Sequence, residues 1–470
     1  MDWKKIIDWL NQPVLNLSIT IFRIVFAFVL LIQTYYFFTH GFIENNIIKP
    51  FILFPFINNL QPLSEFYLIS AGYLMLIGNI GMLFNKTSRI ATLIFLLCFT
   101  YFWLLDKSYY NNHYYFISIV CFLLFIVDRN SNFKATTYVP RISILSLQLM
   151  IVIIYLVGGI NKLNPYWLID FQPMSFILET KCDQTENMLF INPVFIAGMS
   201  YFGLLFDLLI GFILLFRKTR IIGFMLVLVF NIVNHFLFTG IGEIGIFPFV
   251  MISTLILFID PYYLCKIFRV VDNPKNLKKN PQWINIFIFL FILIQLLLPF
   301  RHIFFKGYVD YNGIGQRFSW RMKTMCKESL TPGIIQFKVY REAIDPATNK
   351  RGGILFLGFN LNNMEKFLKT KLDIKENLYL TNNQREKLLY YPDLLPQFAK
   401  NIEHILHAKI LEKYNNDLNF LIYAEANVKF MHRTPQNIIN SSIDLTSLNN
   451  NSINTNQWLI DLKQKPWAID

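Results

Sequence analysis

An amine stands at the mouth of an apolar helix in YLVGGINKLNPYW, residues 155–167. The apolar run opens near Ile142, ends in two glycines, Asn161 and Lys162, and breaks at Pro165. Such a lysine can snorkel, laying its stem along apolar surface and its head in water. Where water is excluded it can instead serve as a base, because desolvation disfavours an ammonium whose ordinary pKa is about 10.4. Three other stretches carry groups able to hold or move protons. LLDKSYYNNHYYF (104–116) brings Asp106, Lys107, Asn111, Asn112 and His113. NIVNHFLFTGIGEIGIF (231–247) brings Asn234 and His235, and LPFRHIFFKGYVDYNGIGQRFSWRMK (298–323) brings Arg301, His302, Trp320 and Arg321. The three histidines come from separate stretches with no i, i+4 pair, and the five cysteines form no CxxC. No metal is expected.

What must position these groups is a membrane bundle. The chain is 54% hydrophobic and 16% charged, against about 25% charged in soluble domains. The first 300 positions carry 20 Lys/Arg and 14 Asp/Glu; the last 170 carry 23 and 16, an ordinary soluble balance. Residues 1–300 therefore read as an α-helical polytopic membrane domain and 301–470 as a soluble domain. Nine apolar segments are long enough to span: 17–38, 67–84, 89–105, 113–127, 142–160, 192–216, 221–239, 245–262 and 283–300. Segment 47–60 is broken by Pro50 and Pro55 and reads as re-entrant or interfacial. With the N-terminus cytoplasmic, fifteen Lys/Arg fall in the inner segments and four (Lys49, Lys107, Lys162 and Lys181) in the outer loops. That split satisfies the positive-inside rule. It puts Lys162 and the three polar clusters on one outer face, and leaves residues 301–470 extracytoplasmic.

Polar groups at membrane depth tend to mark sites, so a cavity open to the outside with aromatic walls is expected there. Two intramembrane charges, Arg23 and Asp207, lie at similar depth and read as a structural ion pair. Of the cysteines, Cys182 and Cys326 fall outside, where a disulfide is permitted. In the outer domain GIIQFKVYRE and NFLIYAEANVKF alternate like strands. LTNNQREKLLYYPDLLPQFAKNIEHILHAKILEKY reads as helical, with Thr381 as N-cap and Pro392 and Pro396 as interruptions. An α+β unit follows. Its net charge is +7, with Arg317, Arg321, Lys323 and Lys327 clustered just past the last span. That charge suits acidic peptides or lipid headgroups equally, and the external location excludes nucleic acid.

At this point LDKSYYNNHYYF, INKLNPYWL, LLLPFRHIFF…GIGQRFSWRM and LYLTNNQREKLLYYPDLLPQFA resemble the vitamin K-dependent γ-glutamyl carboxylase family. The likeness is to its shorter bacterial-type members and runs from the first span to the 430s. The resemblance implies a membrane enzyme that uses reduced vitamin K (a naphthohydroquinone), O2 and CO2. It would couple quinol epoxidation to deprotonation and carboxylation of glutamate side chains, in a bacterial inner membrane or an endoplasmic reticulum. By the same resemblance Lys162 is the initiating base, His113 its partner and His302 the histidine after the last span. Ser319 and Trp320 match the family's SW pair. Asn111, Asn112, Asn161, Trp167, Asn234, His235, Arg301 and Arg321 are the remaining candidates for holding quinone or substrate. The implied partners are membrane lipid and a glutamate-containing peptide or protein. TGIGE (239–243) is longer than the family pattern, and Gln316 stands where an aromatic or histidine is expected. Two alternatives stay open: a quinol epoxidase with another acceptor, and a non-catalytic quinone- or lipid-binding membrane protein.

Overall fold

A computed structural model describes residues 3–128, 137–240, 244–270, 281–344, 351–373, 377–414, 418–449 and 457–463. The short amphipathic helix α1 (Trp3–Leu10) precedes α2 (Leu17–Thr39), α3 (Glu65–Gly81), α4 (Ser88–Leu104), α5 (Asn112–Val127) and α6 (Arg141–Asn161). Then come α7 (Pro165–Leu168), α8 (Met174–Thr185), α9 (Pro193–Leu215), α10 (Arg220–Phe238), α11 (Phe247–Ser253), α12 (Pro261–Phe268) and α13 (Gln282–Leu297). Each of the nine apolar segments is helical. By length and hydropathy α2, α6, α9, α10 and α13 with its 3-10 extension to Phe304 are candidate spans. A sixth arises if the residues from Phe247 to Phe268, bent by 96°, count as one broken span. Nine spans are therefore an upper count: α4 and α5 are apolar but only 17 and 16 residues long, short for the hydrocarbon core. Of the inner cations, Arg129, Lys134, Lys275, Lys278 and Lys279 lie outside the described residues.

Glycines set how closely the helices approach. A side chain on Gly159 would meet Leu208 of α9 at 2.8 Å, and one on Gly211 would meet Val152 of α6 at 2.9 Å. Small residues let α6 and α9 pack backbone to backbone, the usual device where lipid gives no hydrophobic drive. The inner ends of the bundle are tied by two short strands, β1 (Pro13–Leu15) and β2 (Tyr138–Pro140), paired antiparallel.

Beyond the bundle, the turn α14 (Val309–Asn312) leads into a domain with two antiparallel three-stranded sheets. One orders β3 (Lys327–Ser329), β7 (Asn427–Phe430) and β8 (Gln436–Asn437) as β3-β7-β8. The other orders β4 (Gln336–Ile344), β5 (Arg351–Asn360) and β6 (Phe420–Glu425) as β5-β4-β6. Helices α15 (Met364–Leu372), α16 (Asn382–Tyr390) and α17 (Leu395–Tyr414) complete it. Its core joins Phe337, Val339 and Ile422 of the second sheet to Phe398, Ile402 and Leu406 of α17. Thr381 caps α16 in a full capping box with Gln384, and Pro392 separates α16 from α17.

The two parts interlock. The broken segment after Pro50 is not helical and runs under the outer domain, with Ile52 and Phe54 buried in that domain's core. Its backbone is satisfied from above: Gln384 Nε2 donates to the Ile52 carbonyl (2.9 Å) and Gln397 Nε2 to that of Leu53 (3.0 Å). Gln384 Nε2 also donates to the fully buried Asp106 carboxylate at 2.8 Å. Burial pushes Asp106 up to about 6 against the donors around it.

Lys327 is buried in this domain, donating to the Tyr390 carbonyl at 2.9 Å. Burial brings its ammonium down from 10.5 to about 7. Between those pH values the unfolded chain binds more protons than the folded one, so stability rises with pH. The expected result is a thermal midpoint in detergent that climbs from about pH 7 to about pH 9.5, with a smaller climb in Lys327→Met. Equal climbs would remove Lys327 as the cause.

Candidate active site

Seven of the residues picked out by chemistry line one cavity of about 770 Å³ at the junction of the bundle and the outer domain. Lys162, His113, Asn111, Asn112, Trp167, Asn234 and Arg321 all line it. They come from the end of α6, the start of α5, α7, α10 and the segment after α13. Phe202, Phe230, Phe238 and Phe247 supply aromatic wall, and α16 closes the outer end with Asn383, Glu386 and Lys387.

Lys162 closes α6 as its C-cap residue. Its Nζ lies 2.6 Å from Asp207 Oδ2 of α9, both groups buried, and 4.7 Å from the centre of the Trp167 ring. A lone desolvated amine is thus not what the site holds; Lys162 is half of a buried charge pair. This corrects the expected Arg23–Asp207 pair. Arg23 is bound instead to Asp128 at 2.5 Å, near the inner end of the bundle, and Asp207 faces the cavity. The glycines before Lys162 serve helix packing. Gly159 admits Leu208, and a side chain on Gly158 would lie 3.4 Å from Asp207 Oδ2; they let α9 bring its carboxylate to the lysine.

Trp167 is fixed by its indole N–H donating to the Ser200 carbonyl (2.9 Å), and Asn164 caps its short helix. Asn111 caps α5 by accepting from the Tyr114 N–H at 2.8 Å, so its side chain is structurally committed. Asn112 donates to the Arg321 carbonyl at 3.0 Å. His113 stacks on Phe247 with ring centres 4.2 Å apart.

The segment after α14 is wound tightly. Phe318, Trp320 and Lys323 are all in left-handed backbone, φ 64°, 53° and 52°, which costs energy for bulky residues. It is held from the bundle. Tyr110 Oη accepts from the Phe318 N–H (2.7 Å) and Asn161 Nδ2 donates to the Ser319 carbonyl (2.8 Å). Trp320 is buried and stacked on Tyr115. Asn161, Ser319 and Trp320 thus shape the segment without lining the cavity.

The winding aims Arg321 inward. Its guanidinium bonds Asp310 Oδ2 at 2.8 Å and His302 Nε2 at 3.1 Å, while His302 Nδ1 donates to the Pro299 carbonyl at 2.9 Å. That arrangement makes His302 the neutral tautomer accepting from Arg321. His302 is not among the residues lining the cavity; its ring holds the Arg321 guanidinium. Arg301 bonds the Arg317 carbonyl and sits over Phe318. His235 packs edge-on to Phe249, also away from the cavity.

Sequence reasoning missed Tyr155, Asn231 and the α16 residues as wall. Only spatial proximity could have found them. Gln316 lines the outer end, donating to Met325 Sδ at 3.4 Å. Burial, reinforced by Lys387, brings Lys323 down to about 8. The disulfide that the sequence permits is not formed. Cys182 and Cys326 are both buried free thiols, Cys326 inside the outer-domain core. Among the described residues no group of His, Cys, Asp and Glu could hold a metal ion.

A helical bundle with candidate membrane spans, its outer ends enclosing an aromatic-walled cavity beneath a sheet-containing domain, defines an integral membrane protein with an extracytoplasmic domain over its site. The profile of the HTTM domain matches residues 11–263. The profile described as vitamin K-dependent gamma-carboxylase, lumenal domain, matches residues 280–352 and 357–465. The chain belongs to the vitamin K-dependent gamma-carboxylase family. Membership implies vitamin K as the cofactor. No solved structure matches the chain.

Proposed function

We propose that this protein is a γ-glutamyl carboxylase whose quinol chemistry takes place in the interdomain cavity. The N-terminus is cytoplasmic, residues 1–300 form the membrane domain, and residues 301–470 face the exterior of a bacterial inner membrane. The observation that carries the proposal is the buried Lys162–Asp207 pair in an aromatic wall, within the segment on which the family's base falls. The cavity suits a flat naphthohydroquinone. Its volume is within the roughly 300–1,000 Å³ of small-molecule sites, and rings on α7, α9, α10 and α11 form walls for an aromatic ligand. When bound, that group supplies the reaction with O2 that ends in an epoxide and drives removal of a glutamate γ-proton before CO2 adds.

This chain's residues then divide the work. Lys162 and Asp207 handle the proton. Trp167 floors the ammonium, and His113, stacked on Phe247, offers a second hydrogen-bonding group to oxygen in the cavity. Arg321, held by Asp310 and His302, presents fixed positive charge toward an incoming glutamate carboxylate, with Lys323 and Lys387 at the same outer end.

One observation favours a non-catalytic quinone- or lipid-binding protein: Lys162 is already engaged by a carboxylate. The discriminating experiment uses purified protein in detergent with reduced vitamin K, O2, labelled bicarbonate and a glutamate peptide. Epoxide and labelled peptide are both expected. Epoxide without label would point to a different acceptor. Background amounts of both from folded protein would leave only the binding scaffold.

A further inference from the structure

The pairing of Lys162 with Asp207 raises a question about where a proton goes. An ammonium bonded to a carboxylate at 2.6 Å has no vacancy for another. To act alone as a base, the amine would first have to lose its proton and leave Asp207 buried without a counterion, which is costly. Asp207 itself, however, lines the cavity. Of the described residues in that wall, Asp207 and Glu386 are the two acids, and Glu386 is exposed at the outer end.

Resting on the proposed function, we infer that Asp207 is the proton-holding partner of Lys162. The hydroxyl proton of a bound naphthohydroquinone comes to rest on Oδ2 of Asp207, while Lys162 stays charged and turns toward the cavity. One O–H bond breaks on the ligand and one O–H bond forms on the carboxyl; nothing is oxidised in this step. When Lys162 turns away, an unprotonated Asp207 would be a bare charge in an apolar wall, and taking up the proton removes that cost.

The surroundings fit this exchange. A Cβ on Gly203 would sit in contact with Lys162 Nζ at 3.9 Å, so glycine there leaves that side of the ammonium uncovered, and Trp167 keeps a ring beneath it. Tyr155 of α6 and Asn231 of α10 are the polar neighbours lining the cavity on the Asp207 side, their side chains 3.5 Å apart. The other titratable groups among the described residues lining the same cavity are His113 of α5, Arg321 and Lys323 from the segment after α14, Lys387 of α16, and the phenols of Tyr109, Tyr110, Tyr114, Tyr390 and Tyr391.

Asp207→Asn separates this role from a tether. The amide oxygen can still accept from Lys162 Nζ and hold it in place, but it cannot take a proton. The first readout is infrared difference spectroscopy on anaerobic addition of reduced 2-methyl-1,4-naphthoquinone. The wild type should gain the C=O stretch of a protonated carboxyl, sensitive to D2O, and Asp207→Asn should lack it. The second is turnover: kcat for epoxide should fall roughly 10²- to 10⁴-fold with KM for the quinol little changed, and Asp207→Glu should recover much of it. A carboxyl band that survives in Asp207→Asn, or wild-type kcat in that variant, would overturn the inference. If the wild type makes epoxide yet shows no band, Asp207 is not the resting place of the proton, and the carboxylase proposal stands. If the wild type makes no epoxide, both fall.

Discussion

Lys162→Ala is expected to make no epoxide above background and to melt at a lower temperature than the wild type. Both effects follow from one contact. The substitution removes the only cation within bonding distance of Asp207 among the described contacts, and leaves a carboxylate buried against aromatic rings. Breaking a buried pair on one side costs about 3–5 kcal/mol, a large share of the roughly 5–15 kcal/mol that holds a domain. Lost activity in a destabilised protein proves little, so a second variant is needed. Lys162→Met with Asp207→Leu replaces the whole pair by apolar groups of similar size, a change that is often neutral or stabilising. The double variant should recover the thermal midpoint and remain inactive. The measurements are epoxide by chromatography and thermal midpoint in detergent, side by side. Epoxide at the wild-type level from folded Lys162→Ala would remove Lys162 from the chemistry and return the cavity to a binding role.

The positions of the helices were legible because the apolar runs and their breaks are local features. The run read as 17–38 is Leu17–Thr39, and that read as 142–160 is Arg141–Asn161. The site was legible in part for a different reason: topology alone puts segments near 113, 162, 234 and 321 at the same face. What topology cannot give is rotation about each helix axis. Arg23 and Asp207 lie at matching depths by residue count, and depth was all the sequence offered. Asp207 faces α6, while Arg23 faces the junction of α4 and α5, and no periodicity in so uniformly apolar a helix distinguishes those faces. His302 shows the same limit at the outer end. Its place after the last span was readable, but the tight left-handed turns at Phe318 and Trp320 swing Arg321 inward and leave the histidine behind it. The two cysteines shared a side of the membrane and nothing more.

The second large effect lies at the opposite end of the bundle from the chemistry. Arg23 has no exposed surface. One guanidinium nitrogen bonds Asp128 at 2.5 Å and another bonds Asn85 Oδ1, while Asn16 Nδ2 donates to the other Asp128 oxygen at 3.0 Å. Residues from α2, the turn before α4, the end of α5 and the start of the chain are thereby joined at one guanidinium. Arg23→Ala takes from Asp128 the guanidinium that pairs its charge, with an expected loss of about 3–5 kcal/mol read as a lowered thermal midpoint. Arg23→Lys should recover little. A single ammonium cannot reproduce a planar fork that serves two acceptors in fixed directions. Arg23→Met with Asp128→Leu should recover most of the loss, because neither charge is then left alone. A double variant as unstable as the single would mean that packing around the arginine stem, and not its pairing, holds these helix ends together. Quinone binding should be unchanged in the stable double variant, since none of these residues lines the cavity. A loss of binding there would mean that the inner ends of the helices set the geometry of the outer site.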